Sequence, residues 1–414
     1  YCGTFIQEIF LFKIKLSISL SVIGLITGTS QGYTDLIPIH SLTSRITNKS
    51  RGNYMVSLRN NLLLFTFIAA MLFASSATYA DDKGKRLAVD KVKGALSVMV
   101  LGSGGPIATA SGRASAGYLI FVDGEPRILM DAGGGTYQRL AASGVDVRNL
   151  DVILLSHLHI DHTSDMSAII KTVYFHNRVY NLANGTFPPG RTAAVKIYGP
   201  GESMATFPPV LSTPDIDATT ITQYPSSSEY VHSHYKLDGG IERYLNIFSR
   251  AISGGIFNYT VEDKPAGWMT DTTTEILKDK GLVIESIGVN HGPVPALAFR
   301  IKYKGKSIVY SGDTSSVGNN MITLSEGADL LIYDTAITDT LPAGPNDAVF
   351  FALHTTPSRM GAVAAAANVK KLVLSHLTPN TEPRIDEVSE LIRAQGYTGK
   401  ISTARDLKVY NLFS

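Results

Sequence analysis

Four side chains within the stretch His157-Leu-His159-Ile-Asp161-His162 carry the chemistry most legible in this sequence. Along an extended loop alternate residues point the same way, so His157 and His159 can share one cation. Asp161 and His162 then turn toward a second position. Imidazole nitrogens and carboxylate oxygens suit zinc, and a cluster with spare carboxylates and no thiolate suits two ions. A single histidine at a strand end is ordinarily a hydrogen-bonded surface group. Three histidines and an aspartate at this spacing read as a metal loop. His291, His354 and His376 likewise fall at the ends of apolar strands or in the loops that follow them.

Strands that end at these residues must position them. The apolar run Val152–Leu155 delivers the cluster, Leu282–Val289 runs toward His291, and Ser307–Tyr310 leads into Ser311-Gly-Asp313. Lys371–Leu374 precedes His376. Leu96–Leu101 ends in the turn cluster Gly102-Ser-Gly-Gly-Pro106, and Asp123-Gly124 joins Ala116–Val122 to Arg127–Met130 as a hairpin. Further strands are expected at Lys196–Tyr198, Ala296–Tyr303 and Leu330–Tyr333. Helices are expected at Thr136–Ser143, Ile241–Ser253 and Ser358–Asn368. Residues 203–238, rich in Ser, Thr, Pro and Tyr, read as an insertion with little regular structure. With Tyr224, Tyr230, His232, His234 and Tyr235 it could serve as a lid. No repeat at a solenoid period is present. The expected fold is α/β: an αββα sandwich of two mixed β-sheets with outer helices.

Bulk properties narrow the function. The chain of 414 residues begins at Tyr1, and its first methionine is Met55. After it come Arg59, the apolar run Leu62–Phe73 and Thr78-Tyr79-Ala80, the order of a secretory signal with its cleavage site. We therefore expect residues 1–54 to be upstream and non-native or disordered, 55–80 to be a signal peptide, and 81–414 to be one hydrolase domain. The processed chain would be exported to the periplasm or medium, with no stable membrane insertion. Six of the 37 Lys/Arg and two of the 35 Asp/Glu precede residue 81, which leaves 31 basic against 33 acidic residues. A protein gripping nucleic acid through phosphates usually carries a basic excess. The sole cysteine is Cys2, so the processed chain has neither disulfides nor thiolate ligands.

The His-Leu-His-Ile-Asp-His stretch resembles the signature of the metallo-β-lactamase superfamily, and the resemblance runs from about Leu96 to Tyr410. It implies a fuller site. Asp131, in Leu-Met-Asp-Ala-Gly, looks like the aspartate that buttresses the metal loop without binding metal. His291 in Asn-His-Gly-Pro, Asp313 in Ser-Gly-Asp-Thr and His376 in Leu-Ser-His-Leu look like the remaining ligands. The implied scheme puts His157, His159, His291 and Asp313 on one zinc. It puts Asp161, His162, His376 and the shared Asp313 on the other. Mn²⁺ or Fe²⁺ could substitute. Two cations about 3.5 Å apart can hold a hydroxide between them and clamp a developing oxyanion. Asp161 would orient that hydroxide as well as ligate.

The absence of cysteine after residue 80 and the presence of Asp313 separate the chain from the lactamase branches. Histidine at position 159 separates it from flavodiiron proteins. What remains resembles ribonuclease Z, zinc arylsulfatases, cyclic-nucleotide phosphodiesterases and some lactonases. Leu353-His354-Thr355-Thr356-Pro357 is similar to the His-Ser-Thr motif of ribonuclease Z, whose histidine helps the leaving group depart. Thr355, Thr356 and Pro357 also suit a helix N-terminus, in which case His354 would be an ordinary residue at a helix start. The long basic arm of ribonuclease Z is missing, because His291 and Asp313 are only 22 residues apart. The expected substrate is a small anionic phosphodiester or sulfate ester. Ribonuclease Z-type cleavage of RNA and lactone hydrolysis are the alternatives, and nucleic acid is not expected as a partner. A homodimer would match the common state of ribonuclease Z relatives.

Overall fold

Alternation of large aliphatic residues with no charge makes Leu96–Gly102 a strand buried along its whole length, and it sets the pattern for the molecule. Its Val98 and Val100 face an inner core between two sheets, while Met99 and Leu101 face an outer helical layer. The computed structural model describes residues 86–183, 193–201, 224–235, 258–340 and 347–413. These belong to one compact unit, Arg86–Ser414.

In chain order the strands are β1 (Leu96–Gly102), β2 (Gly117–Val122), β3 (Glu125–Met130), β4 (Val152–Leu154), β5 (Val195–Pro200), β6 (Tyr259–Lys264), β7 (Thr274–Asp279), β8 (Leu282–Val289), β9 (Ala296–Tyr303), β10 (Lys306–Tyr310), β11 (Leu330–Asp334), β12 (Lys371–Ser375), β13 (Lys400–Thr403) and β14 (Val409–Leu412). The helices are α1 (Thr136–Ser143), α2 (Ile160–Thr163), α3 (Met166–Ala183), α4 (Ser227–Tyr235), α5 (Asn320–Ser325), α6 (Asp347–Leu353), α7 (Pro357–Ala366) and α8 (Ile385–Ala394). One sheet runs β14-β1-β2-β3-β4-β5-β6 and the other β13-β12-β11-β10-β9-β8-β7. Both are mixed: β1 to β3 and β7 to β10 pair antiparallel, β3 to β6 and β10 to β13 parallel. Leu140, Ile169 and Tyr235 cover the first sheet, and Met321, Met360 and Ile392 the second. The αββα sandwich follows from two sheets apolar on both faces.

Residues 203–238 are not wholly irregular, which corrects the expectation for that segment. Residues 227–235 form α4, and the reason is local. Ser226 and Glu229 make a reciprocal capping box, Ser226 N to Glu229 Oε2 at 3.1 Å and Glu229 N to Ser226 Oγ at 3.2 Å. Asp263 accepts from Ser228 N at 2.8 Å, and Val231 and Tyr235 are buried against the first sheet's outer face. The expected helix at 241–253, like the leader segments 1–54 and 55–80, lies outside the described residues. No described helix is long and apolar enough to cross a membrane.

Candidate metal centre

Backbone bonds at the carboxyl ends of the strands bring the loops of both sheets together. Leu297 N, in the second sheet, donates to Ser156 O, just past β4 in the first, at 2.8 Å. Gly312, at φ +57°, lets the loop after β10 approach Ser156; a side chain there would lie 2.8 Å from Ser156 Cβ. The metal loop itself is stitched on its other side by Ala132 N to His162 O at 2.7 Å and Asp165 N to Ala132 O at 2.8 Å.

Three overlapping groups of donor atoms result among the described residues: His157, His159, His291 and Asp313; Asp161, His162, Asp313 and His376; and Asp313, Asp334, His354 and His376. Asp313 belongs to all three. Its Oδ2 lies 3.8 Å from His157 Nε2 and 4.0 Å from His291 Nε2, and its Oδ1 lies 3.4 Å from His162 Nε2 and 3.3 Å from His376 Nε2. His376 Nε2 and Asp161 Oδ2 are 3.2 Å apart, and His291 Nε2 and His159 Nδ1 are 3.4 Å apart. A tetrahedral zinc site with bonds of about 2.1 Å has ligand–ligand edges of roughly 3.4 Å. These separations match that spacing. His157 Nε2 and Asp313 Oδ1 are buried with no hydrogen-bond partner, which is costly unless another species fills the space between them. The residues present fit metal ions.

The ring nitrogens facing away from the pockets are held by oxygens, which orients the rings. His162 Nδ1 donates to Asp131 Oδ2 at 2.7 Å, His291 Nδ1 to Leu353 O at 2.7 Å and His376 Nδ1 to Asp334 Oδ1 at 3.2 Å. Asp131 also accepts from Ser156 N at 2.7 Å, Ser156 Oγ at 2.6 Å and the Tyr310 hydroxyl at 2.7 Å. It therefore touches His162 and the metal loop and is not itself among the grouped donors. Asp131 and His376 both take positive φ, +56° and +60°, backbone strain stored beside the site.

The two pockets differ electrostatically. Burial, reinforced by neighbouring His162, holds His157 well below its ordinary value, and burial pushes His291 down to about 3 and lowers His159. These imidazoles offer neutral lone pairs. At His162 and His376 burial acts in the same direction but loses to Asp313 and Asp161, so both are raised, His376 to about 10. Asp161 and Asp313 are depressed, since the surrounding histidines outweigh the burial that opposes them. The second pocket thus sets two carboxylates against two imidazoles held in the charged form, and a divalent cation would take the place of their protons.

His354 is not a helix-start residue. It follows the end of α6, and Thr356 caps α7 by accepting from Arg359 N. His354 Nδ1 donates to Asp334 Oδ2 at 2.8 Å, which leaves Nε2 as the free ring nitrogen. Burial opposes its protonation, but Asp334 wins and raises it. Sequence reasoning missed Asp334, which is buried at the end of β11 and joins His354 to His376. The signal was present: like Asp131 after β3, it is an acid terminating a fully apolar run. His232 and His234 are exposed on α4 and join none of these groups. Tyr230 of α4 donates to Thr163 Oγ1 of the metal-loop helix at 2.9 Å.

A family model for the metallo-beta-lactamase superfamily matches residues 111–376. Ribonuclease Z of Mycolicibacterium paratuberculosis is 26% identical over 316 residues, 75% of this chain and 96% of that protein. Ribonuclease Z of Mycobacterium bovis is 27% identical over 317 residues, 75% and 96% respectively. Among solved structures, the metallo-beta-lactamase fold protein YhfI of Bacillus subtilis aligns with a TM-score of 0.51 at 21% identity, covering 76% of this chain and 98% of its own. The short form of human tRNase Z gives 0.50 at 19% identity, with 76% and 98% covered. Strand order, the clustered donors and the family match agree, and the chain belongs to the metallo-beta-lactamase superfamily, as a hydrolase acting on ester bonds.

Proposed function

We propose that the protein is a two-zinc hydrolase of a small phosphodiester or sulfate ester. The observation that carries the reading is Asp313, placed to serve the first two groups of donors at once. His157, His159 and His291 would hold one ion with Asp313, and Asp161, His162 and His376 the other. Bound zinc supplies Lewis acidity, lowering the pKa of water and neutralising charge on the ester oxygens. The remaining work falls to the chain. Asp131 keeps His162 in register through their shared hydrogen bond. Asp161, only partly enclosed, can accept a hydrogen bond from the attacking water and orient it. His354 delivers a proton from Nε2 to the departing oxygen, while Asp334 on Nδ1 favours the charged ring beforehand.

RNA cleavage is the second reading, and it rests on the relatives named ribonuclease Z. Against it stand the balanced charge after residue 80 and the span between His291 and Asp313, which β9 and β10 fill as a hairpin. Export rests on the signal-like order after Met55, and sequencing the N-terminus of protein from the periplasm or medium should find it near Asp81. The deciding experiment combines elemental analysis with a panel of aryl phosphodiester, aryl sulfate, cyclic AMP, acyl-homoserine lactone and precursor tRNA. We expect about two zinc ions per chain and turnover of a small ester. Trace metal alone, or precursor tRNA processed at physiological salt as fast as any small ester, would overturn the proposal.

A further inference from the structure

Helix α6 carries no polar side-chain atom from Ala348 to Leu353, yet it lies at the surface. Val349 is 40% and Phe351 37% exposed. A surface helix ordinarily turns charged residues to water, and apolar groups gathered in the open beside a site mark binding. This helix is fixed to the metal centre. The Leu353 carbonyl accepts from His291 Nδ1, and Leu353 Cδ2 occupies the space beside Gly292 where a Cβ would come within 3.0 Å. His354 N donates to Phe350 O at 2.9 Å, a helical bond that puts Phe350 and His354 on one face. Their rings stack, with centroids 6.2 Å apart and planes 26° from parallel.

We propose that the face of α6 bearing Phe350 and His354 seats the leaving group of the substrate, and that this group is an aryl-sized alcohol selected by Phe350. The inference rests on the reading of His354 as the acid that protonates the departing oxygen. An oxygen within reach of His354 brings its substituent against Phe350. A sugar or other hydroxyl-rich alcohol would find nothing on the side chains of Ala348–Leu353 to hydrogen-bond, whereas a planar ring finds the planar ring of Phe350.

Binding of two inert anions to the metal-loaded protein tests this without any turnover. Benzyl(methyl)phosphinate and dimethylphosphinate share charge and tetrahedral shape, and neither has an ester bond to break. We expect the benzyl compound to bind about tenfold more tightly, the order expected for burying and stacking one ring. Phe350→Ala should bring that ratio below about threefold with dimethylphosphinate affinity and zinc content unchanged, and Phe350→Leu should fall between. Equal affinities in the unmodified protein, no binding of either anion, or a preference that survives Phe350→Ala would each overturn the proposal. Hydrolysis of phenyl methyl phosphate, measured separately, tests the reading of the reaction. A retained preference with no hydrolysis would remove that reading and leave α6 as an aryl-binding surface.

Discussion

Gly133→Ala should empty the second metal pocket although it alters no donor. Gly133 follows Asp131-Ala132 and lies against the metal loop. A Cβ built on it overlaps the carbonyl oxygen of Asp161 and lies 2.8 Å from that carbonyl's carbon and 2.8 Å from Ser115 Cβ. Carbon atoms in ordinary contact are about 3.5–4.0 Å apart, so the loop must retreat by about 0.7 Å or more. The bonds from Ala132 N to His162 O and from Asp165 N to Ala132 O leave it little freedom to do so without rotating Asp161 and His162 together. Zinc sites tolerate roughly 0.2 Å in ligand distance. The displacement exceeds the tolerance about threefold, while overpacking of this kind costs the fold only about 1–3 kcal/mol. The folded variant should therefore hold about one zinc instead of two and lose on the order of 10²-fold in turnover. Gly124→Ala is the control: at φ +86° it is strained, but nothing lies within 4 Å of its Cβ, so it should lose stability and keep both metals. Metal analysis after dialysis against buffered zinc, with circular dichroism to confirm folding, decides the matter. Two zinc ions and unchanged turnover in Gly133→Ala would refute the steric argument.

Three further outcomes are expected. His354→Ala should keep its metal and lose about 10²–10⁴-fold in turnover, more for alkyl than for nitrophenolate leaving groups; unchanged turnover on every ester would reduce His354 to a structural residue. Asp131→Asn should weaken zinc in the second pocket about 10–100-fold while sparing the first, and a chelator competition that finds both weakened equally would contradict the role given to its bond with His162. The pockets should also differ in proton release. His162 and His376 are both raised, His376 from 6.5 to about 10, so filling their pocket near neutral pH must displace protons and tightens as pH rises through that window. His291, lowered to about 3, is already neutral there and releases none. Calorimetric titration in two buffers of different ionisation enthalpy measures this, and equal release for both equivalents would exclude the assignment.

The metal loop was legible because its donors are adjacent in sequence, and a short apolar strand before it says which end of the sheet it occupies. His291, Asp313 and His376 were legible only through their motifs: nothing in local periodicity brings residues so far apart together. Asp334 escaped because one acid after an apolar run resembles any strand terminus until its partner His354 is known. Helix α4 escaped for a different reason. Its Ser and Tyr content reads as loop, and the capping box with the bond from Ser228 to Asp263 outweighs that composition. β6 and β7 alternate charged with apolar residues weakly and take their strand form from pairing with β5 and β8.

The donors come from both halves of the sandwich: the loop after β4 from one sheet, and those after β8, β10 and β12 from the other. An ion held by both sets works as a rivet through the two layers. Metal that binds only the folded chain adds to its stability by mass action, about 4 kcal/mol at a thousandfold excess over Kd. Domains of this kind have only about 5–15 kcal/mol in total. The lifetime of the chain is then tied to metal supply. On the two-zinc proposal, protein prepared under zinc scarcity should be inactive and also less stable, with faster limited proteolysis as the measure.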